Sequence, residues 1–126
     1  MVSYGSFTYS DPEVDALTTY LRDCARRGQI THYDDSYNVA QKFGSYHGPH
    51  DQRLWWLLGY ISEEEIKAGR CALSAIVVIK SGEGAINNGP GHGFFELERR
   101  LGRYKSDDDS TWLAEIDGLF QYWRKH

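Results

Sequence analysis

The sequence has only two cysteines, three prolines and one methionine in 126 residues. Two thiols, Cys24 and Cys71, are too few for a disulfide framework, which excludes the stapled scaffolds of small secreted domains. Both fall in apolar patterns and read as buried thiols in a reducing compartment. No apolar run approaches the ~20 residues needed to span a bilayer, so no membrane partner is expected. Residues 1–10 are polar and aromatic, without the basic start and apolar stretch of a secretory signal, and the expected location is the cytoplasm. Basic charge is also scarce. Fourteen Lys and Arg stand against eighteen Asp and Glu, for a net charge of −4. That argues against a protein held on nucleic acid by bulk charge. It leaves room for a local basic face, which Arg99, Arg100, Arg103, Lys105 and Arg53 could form. The acids would then be segregated to residues 63–65 and 107–109.

What the chain does have is length for one cored domain over residues 1–126, and many aromatics: four Trp, nine Tyr and five Phe. Ser10-Asp-Pro-Glu13 is a capping box that opens a helix. Val14, Leu17, Leu21 and Cys24 recur at helical spacing, and Gly28 ends the pattern. Residues 29–32 are too short for a helix and read as a brief strand or link. A second helix is expected over 33–43, with Tyr33, Tyr37, Ala40 and Phe43 on one side. Asp51 caps a third, whose apolar stripe is Leu54, Trp55, Leu58 and Ile61. Ser62-Glu-Glu-Glu65 repeats the capping pattern, so that helix restarts or bends there, with the glutamates on a solvated face. Leu73-Ser-Ala-Ile-Val-Val-Ile-Lys80 reads as a strand buried on both faces. Its partner is either residues 29–32 or residues 85–88. A glycine-rich loop over 82–93 leads to a fourth helix ending near Gly102. A solvated loop follows over 105–110, and then a last helix to about Arg124 with Trp112, Ile116, Leu119 and Trp123 on its buried side. The expected fold is α+β, mostly helical, with about five helices and a small sheet.

Candidate chemistry is sparse. A strand passing through glycines to a helix start gathers free N–H groups and a positive dipole end, so Gly91, His92 and Gly93 are candidate phosphate contacts. The loop departs from the nucleotide fingerprints. Gly84 and Gly89 have P-loop spacing, but Pro90 stands where Lys is required, and Phe94 occupies the last glycine of a dinucleotide motif. His47-Gly-Pro-His50-Asp51 holds two imidazoles and a carboxylate, but on a turn rather than the helix of an HExxH protease, and no metal or cofactor is expected. His92 and Glu96 are spaced as a base and its orienting carboxylate, or as a weak helix-face pair. Ser74 lacks the G-x-S-x-G elbow of a hydrolase nucleophile.

Taken in order, the small motifs resemble the C-terminal DNA-binding domain of O6-alkylguanine-DNA alkyltransferases and alkyltransferase-like proteins. Gly28-Gln-Ile-Thr-His-Tyr33 resembles that family's Gly-x-Val-Thr-x-Tyr step, and Arg53-Leu-Trp-Trp-Leu-Leu resembles the start of its recognition helix. Leu73-Ser-Ala-Ile-Val-Val78 resembles its Pro-Cys-His-Arg-Val-Val strand, with Ser74 in place of the reactive cysteine. The glycine-rich wing and the following helix complete the likeness, over about residues 28–101. The resemblance implies a winged-helix-like body without alkyl transfer. It also implies DNA contacts by Tyr33, which rotates the backbone, and by Arg53, which fills the stack left by an extruded base.

Three functions follow. The first is a non-enzymatic nucleic-acid-binding module using Tyr33, Arg53, Gly91, His92, Gly93, Arg99, Arg100 and Arg103, with DNA as partner. The second is a protein-interaction, inhibitor or immunity-type module, of phage or mobile-element kind, for which the acidic balance and the aromatics suit a basic protein partner. The third is a small hydrolase or transferase built on His92, Glu96 and the glycine loop.

Overall fold

The computed structural model describes residues 1–81 and 86–126, and the side chains of all of these except residues 80, 81, 86–88 and 92. Gly82, Gly84 and the rest of the P-loop-like spacing up to residue 85 therefore lie outside the described residues, as does the His92 side chain.

The chain opens with a feature that its first ten residues conceal. Strand β1 (Val2–Tyr4) pairs antiparallel with β2 (Phe7–Tyr9), Tyr4 opposite Phe7. The connecting loop is Gly5-Ser6, and Gly5 takes φ +61°, the left-handed setting that tight hairpins require. Helix α1 (Asp11–Arg26) then starts on its capping box. The Glu13 N–H donates to Ser10 Oγ at 3.2 Å, and the Ser10 N–H donates to Glu13 Oε1 at 3.1 Å. It ends where Gly28 adopts φ +65° and the Gln29 N–H reaches back to the Cys24 carbonyl at 2.9 Å.

Strand β3 (Thr31–His32) leads directly into α2 (Tyr33–Ala40), and a loop carries the chain to α3 (Gln52–Lys67), capped by Asp51. Helix α2 stops at Ala40, three residues before the expected end, and Phe43 lies half-exposed in the loop. Helix α3 runs unbroken through Ser62, because that side chain is buried and bonded to Ser74 rather than capping a new start. Glu63 and Glu65 are buried, not solvated. Glu65 accepts from Arg22 of α1 at 2.6 Å and from Arg70, which ties the end of α3 to α1.

The expected strand over 73–80 divides. Leu73–Ile76 forms a 3-10 turn, and β4 (Val77–Ser81) follows it. Both candidate partners pair with this strand. β3 lies parallel on one side (Thr31 opposite Val77), and β5 (Ile86–Pro90) lies antiparallel on the other (Val78 opposite Pro90). A central strand is covered on both faces, and Val77 and Val78 are fully buried. The chain closes with α4 (His92–Arg100) and α5 (Asp108–Arg124), the latter capped by Asp107. Among the described residues the fold is mostly helical α+β, with five helices, a two-stranded sheet and a three-stranded sheet. Among the described residues no helix is long and apolar enough to cross a membrane.

The main core gathers Leu17 and Leu21 of α1, Leu54, Leu57, Leu58 and Ile61 of α3, Leu73 and Ile76 of the turn, and Leu119 of α5. One buried carboxylate joins its parts. Glu13 is 1% exposed and receives Arg53 of α3 at 2.9 Å and the Tyr46 hydroxyl of the α2–α3 loop. Removing one partner leaves the others desolvated and unpaired. Glu13→Ala should therefore lower unfolding stability by roughly 3–5 kcal/mol, measured by urea denaturation, with the Ser10 cap weakened as well. A loss below about 1 kcal/mol would show that the cluster does not hold these elements.

Candidate functional site

Helix α3 places its side chains by simple geometry. Leu54, Leu57, Leu58 and Ile61 turn to the core, so Trp55 and Trp56 turn outward. They are 48% and 45% exposed, and both line a cleft of about 690 Å³. Tyr4 of β1, Tyr33 of α2, and Phe94 and Arg100 of α4 line it as well. Trp55 was expected in the buried stripe. It is out of it because 54, 57, 58 and 61 already fill the apolar arc.

The aromatic wall is braced. Trp56 packs edge-on to Tyr4, with ring centres 5.7 Å apart, and Tyr4 packs edge-on to Tyr60 at 5.5 Å. Gly5 lets the hairpin loop meet the Trp56 ring, since a Cβ there would stand 3.1 Å from it. Trp55 has no ring partner and no hydrogen bond among the described residues.

Ser74 is 7% exposed and lines the cleft. Its N–H donates to Ser62 Oγ at 2.9 Å, and Ser62 Oγ donates to Ser74 Oγ at 2.8 Å. That pairing gives it a positioned hydroxyl and no activating base. Tyr33, the first residue of α2, also reaches the cleft. Burial raises its hydroxyl above the ordinary tyrosine range, and a hydrogen bond with the Gly91 backbone partly offsets this. A Cβ at Gly91 would stand 2.5 Å from that hydroxyl, so glycine is required for the approach. Gly91 and Gly93 line the cleft, but the Gly91 backbone is engaged by Tyr33 rather than left free for a phosphate.

The expected arginine face is largely committed to the protein itself. Arg53 does not reach the cleft. Its guanidinium donates to Glu13 and to the Thr8 carbonyl at 2.8 Å and lies over the rings of Tyr9 and Tyr46, at 4.7 and 5.3 Å. Arg103 donates to Glu115 at 2.6 Å and lies 3.6 Å from Glu98. Arg100 donates to Glu63 and to the Tyr4 hydroxyl, both at 2.9 Å, and its hydrogen bond holds the Glu63 carboxyl below the usual carboxylate range. Arg99 is half-exposed, 4.2 Å over the Tyr104 ring and 3.6 Å from Asp108. Sequence spacing shows where these arginines sit on a helix. It does not show the buried glutamates that claim them.

His50 lies on the cleft rim, and the neighbouring His47 N–H donates to Asp51 at 2.8 Å. Among the described residues no three His, Cys, Asp or Glu side chains converge as a metal site.

A second cluster of charge lies between α4 and α5. Glu98 is fully buried, and neither of its carboxyl oxygens meets a donor among the described residues. The Glu115 carboxyl lies beside it, accepting from the Ala72 N–H at 2.8 Å and from Arg103. Burial, and then the Glu115 charge, push the Glu98 carboxyl up to about 8. Burial also pushes the Cys71 thiol, near Arg103, up to about 11, so Cys71 is no ready nucleophile.

The chain matches no protein-family model, no curated protein and no solved structure.

Glu98 sets a pH dependence. Below its ordinary value of 4.5 it is protonated folded and unfolded alike, and the native state is unpenalised. From there to about 8 the unfolded chain ionises while the folded chain must keep the proton, so stability falls as pH rises. The melting temperature should therefore drop between pH 5 and pH 8, and Glu98→Gln should flatten that drop. Parallel pH profiles for the two proteins would indicate that Glu98 is not the group responsible.

Proposed function

We propose that the protein is a nucleic-acid-binding module of winged-helix type. The observation that carries this reading is one cleft. Tyr33, Ser74 and Gly91, which the alkyltransferase resemblance reaches separately along the sequence, line the same space. The order of elements supports it too, with α1, the short β3, the α2–α3 pair and then the β4–β5 hairpin as wing. Ser74 stands in the reactive cysteine's place, paired with Ser62, so the reading is binding without group transfer. Tyr33, to which the resemblance gives the contact that rotates the backbone, lines the cleft. Arg53 would have to leave Glu13 before it could fill a stack.

A second reading is a protein-interaction module. The observation favouring it is the pair of half-exposed tryptophans at the mouth of an apolar cleft on an acidic protein. The nucleic-acid reading ranks first because the cleft adjoins the hairpin and has Arg100 on its rim.

Fluorescence anisotropy of labelled duplex and single-stranded DNA, at low and moderate salt, tests the proposal. Saturable binding that weakens with salt is expected. Arg99→Ala should weaken it a few-fold and reduce the magnitude of the salt slope by about 1. An absence of binding at low salt would end the nucleic-acid reading and leave the interaction module, to be pursued through its partner.

A further inference from the structure

Helix α4 carries both a stretch of the cleft wall and half of a buried acid pair. Phe94, Glu96, Leu97 and Arg100 line the cleft, while Glu98 is fully buried beside Glu115 of α5. We propose that this pair is a proton-operated latch: with Glu98 protonated, α4 is bonded to α5 and walls the cleft, and when Glu98 gives its proton to solvent, α4 is released and the cleft loses that wall. The latch operates whichever ligand the cleft takes.

The geometry allows Glu98 one charge state in the closed fold. Neither of its oxygens meets a donor among the described residues, so a bare carboxylate there would be an uncompensated buried charge. A carboxylic acid brings its own donor, and the Glu115 carboxylate lies within hydrogen-bonding reach to accept it. Glu115 is held in its charged form by the Ala72 N–H and by Arg103. The two side chains therefore attract with the proton present and repel without it. The other groups nearby do not rescue the ionised form. Arg103 stands 3.6 Å away but is hydrogen-bonded to Glu115, and Lys105 is exposed in the α4–α5 connection. The Cys71 thiol beside Arg103 stays neutral. From α3 the charge that meets α4 is Glu63, already bound to Arg100.

Release of α4 leaves the main core intact. Phe94 packs in a small cluster with Ala72 and Ala75, separate from the core that joins α1, α3 and α5. The helix has nine residues and no side-chain cap at its start. Its polar ties include Arg100 to Glu63 and Tyr4, and the exposed pair of Arg99 with Asp108, which adds little. A short unit of this kind opens at lower free energy than the core. In the released helix the Glu98 carboxyl, pushed up to about 8 in the closed fold, returns to its ordinary 4.5. Each opening between these values frees one proton, so opening becomes about tenfold more frequent per pH unit. Above about 8 the dependence levels off, because the closed form has then lost the proton as well.

Hydrogen exchange of the whole chain, read by mass spectrometry on peptides covering α4 and α1 and corrected for the intrinsic pH dependence of exchange, tests the latch. In the parent protein the opening constant of α4 should rise about a hundredfold from pH 5.5 to pH 7.5, one proton over two pH units. At each pH it should exceed that of α1 by at least about tenfold, the sign of a local opening. Glu98→Gln keeps a neutral donor toward Glu115, so its α4 should stay protected at every pH. If α4 exchanges in step with α1, the opening is global and the latch is overturned, a result that needs no variant. An α4 opening constant flat with pH in the parent, or equally steep in Glu98→Gln, overturns it too. The nucleic-acid reading is untouched by any of these results.

Discussion

The carboxylate of Glu13 is the contact through which the first half of the molecule is held together. It completes the N-cap of α1, receives the guanidinium of Arg53 at the start of α3, and accepts the hydroxyl of Tyr46 from the loop between α2 and α3. A carboxylate this deeply buried is tolerated only because each of its acceptor sites meets a donor. Burial raises the Tyr9 and Tyr46 hydroxyls above their ordinary range, so both stay neutral around the ion pair. Gly44 adds a further constraint, because any side chain there would run into the Glu13 carboxylate. Arg53 ties the start of α3 to this cluster, and with Leu54, Leu57, Leu58 and Ile61 turned to the core Trp55 and Trp56 are left on the outward side that lines the cleft.

The same logic of buried acids meeting arginines recurs at Glu65 and at Glu115. It changes how the net charge should be read. The protein is not simply acidic outside. Among the described residues five glutamates, Glu13, Glu63, Glu65, Glu98 and Glu115, lie within the fold, and several arginines are turned inward to meet them. Little unpaired positive charge therefore remains near the cleft. Glu98 departs from the pattern, being buried beside another carboxyl, with the nearby Arg103 guanidinium 3.6 Å away and hydrogen-bonded to Glu115 instead. That is why its proton, rather than an ion pair, keeps it neutral.

Much of the helical framework was legible in the chain. Ser10 with Glu13, Gly28, Asp51 and the leucine spacings of α1 and α3 are local signals, and each acts through a few neighbouring residues. The β4–β5 pairing was legible from a β-branched run with a candidate partner at residues 85–88, although the run itself starts as a 3-10 turn at Leu73, where Ser74 turns back to bond Ser62. The β1–β2 hairpin was not read, since three-residue strands of mixed polarity carry almost no periodic signal. Its Gly5-Ser6 loop was the one available cue. Of the candidate site residues, Tyr33, Gly91, Gly93 and Arg100 come together at the cleft, while Arg53 and Arg103 go elsewhere. Trp55 was taken as part of the buried stripe, because helical spacing is blind to how wide an arc the neighbours cover.

By itself, then, the sequence determined most of the helices, the caps of α1 and α3 and the class of fold, all consequences of backbone hydrogen bonding and apolar periodicity within short segments. Only the tertiary structure decided which charges are free. A guanidinium seeks the nearest buried carboxylate in space, and the pairs Glu13 with Arg53, Glu65 with Arg22 and Glu63 with Arg100 join residues 40, 43 and 37 positions apart. The cleft was decided in the same way, since its walls come from β1, α2, α3 and α4 and exist only once the core has set their distances.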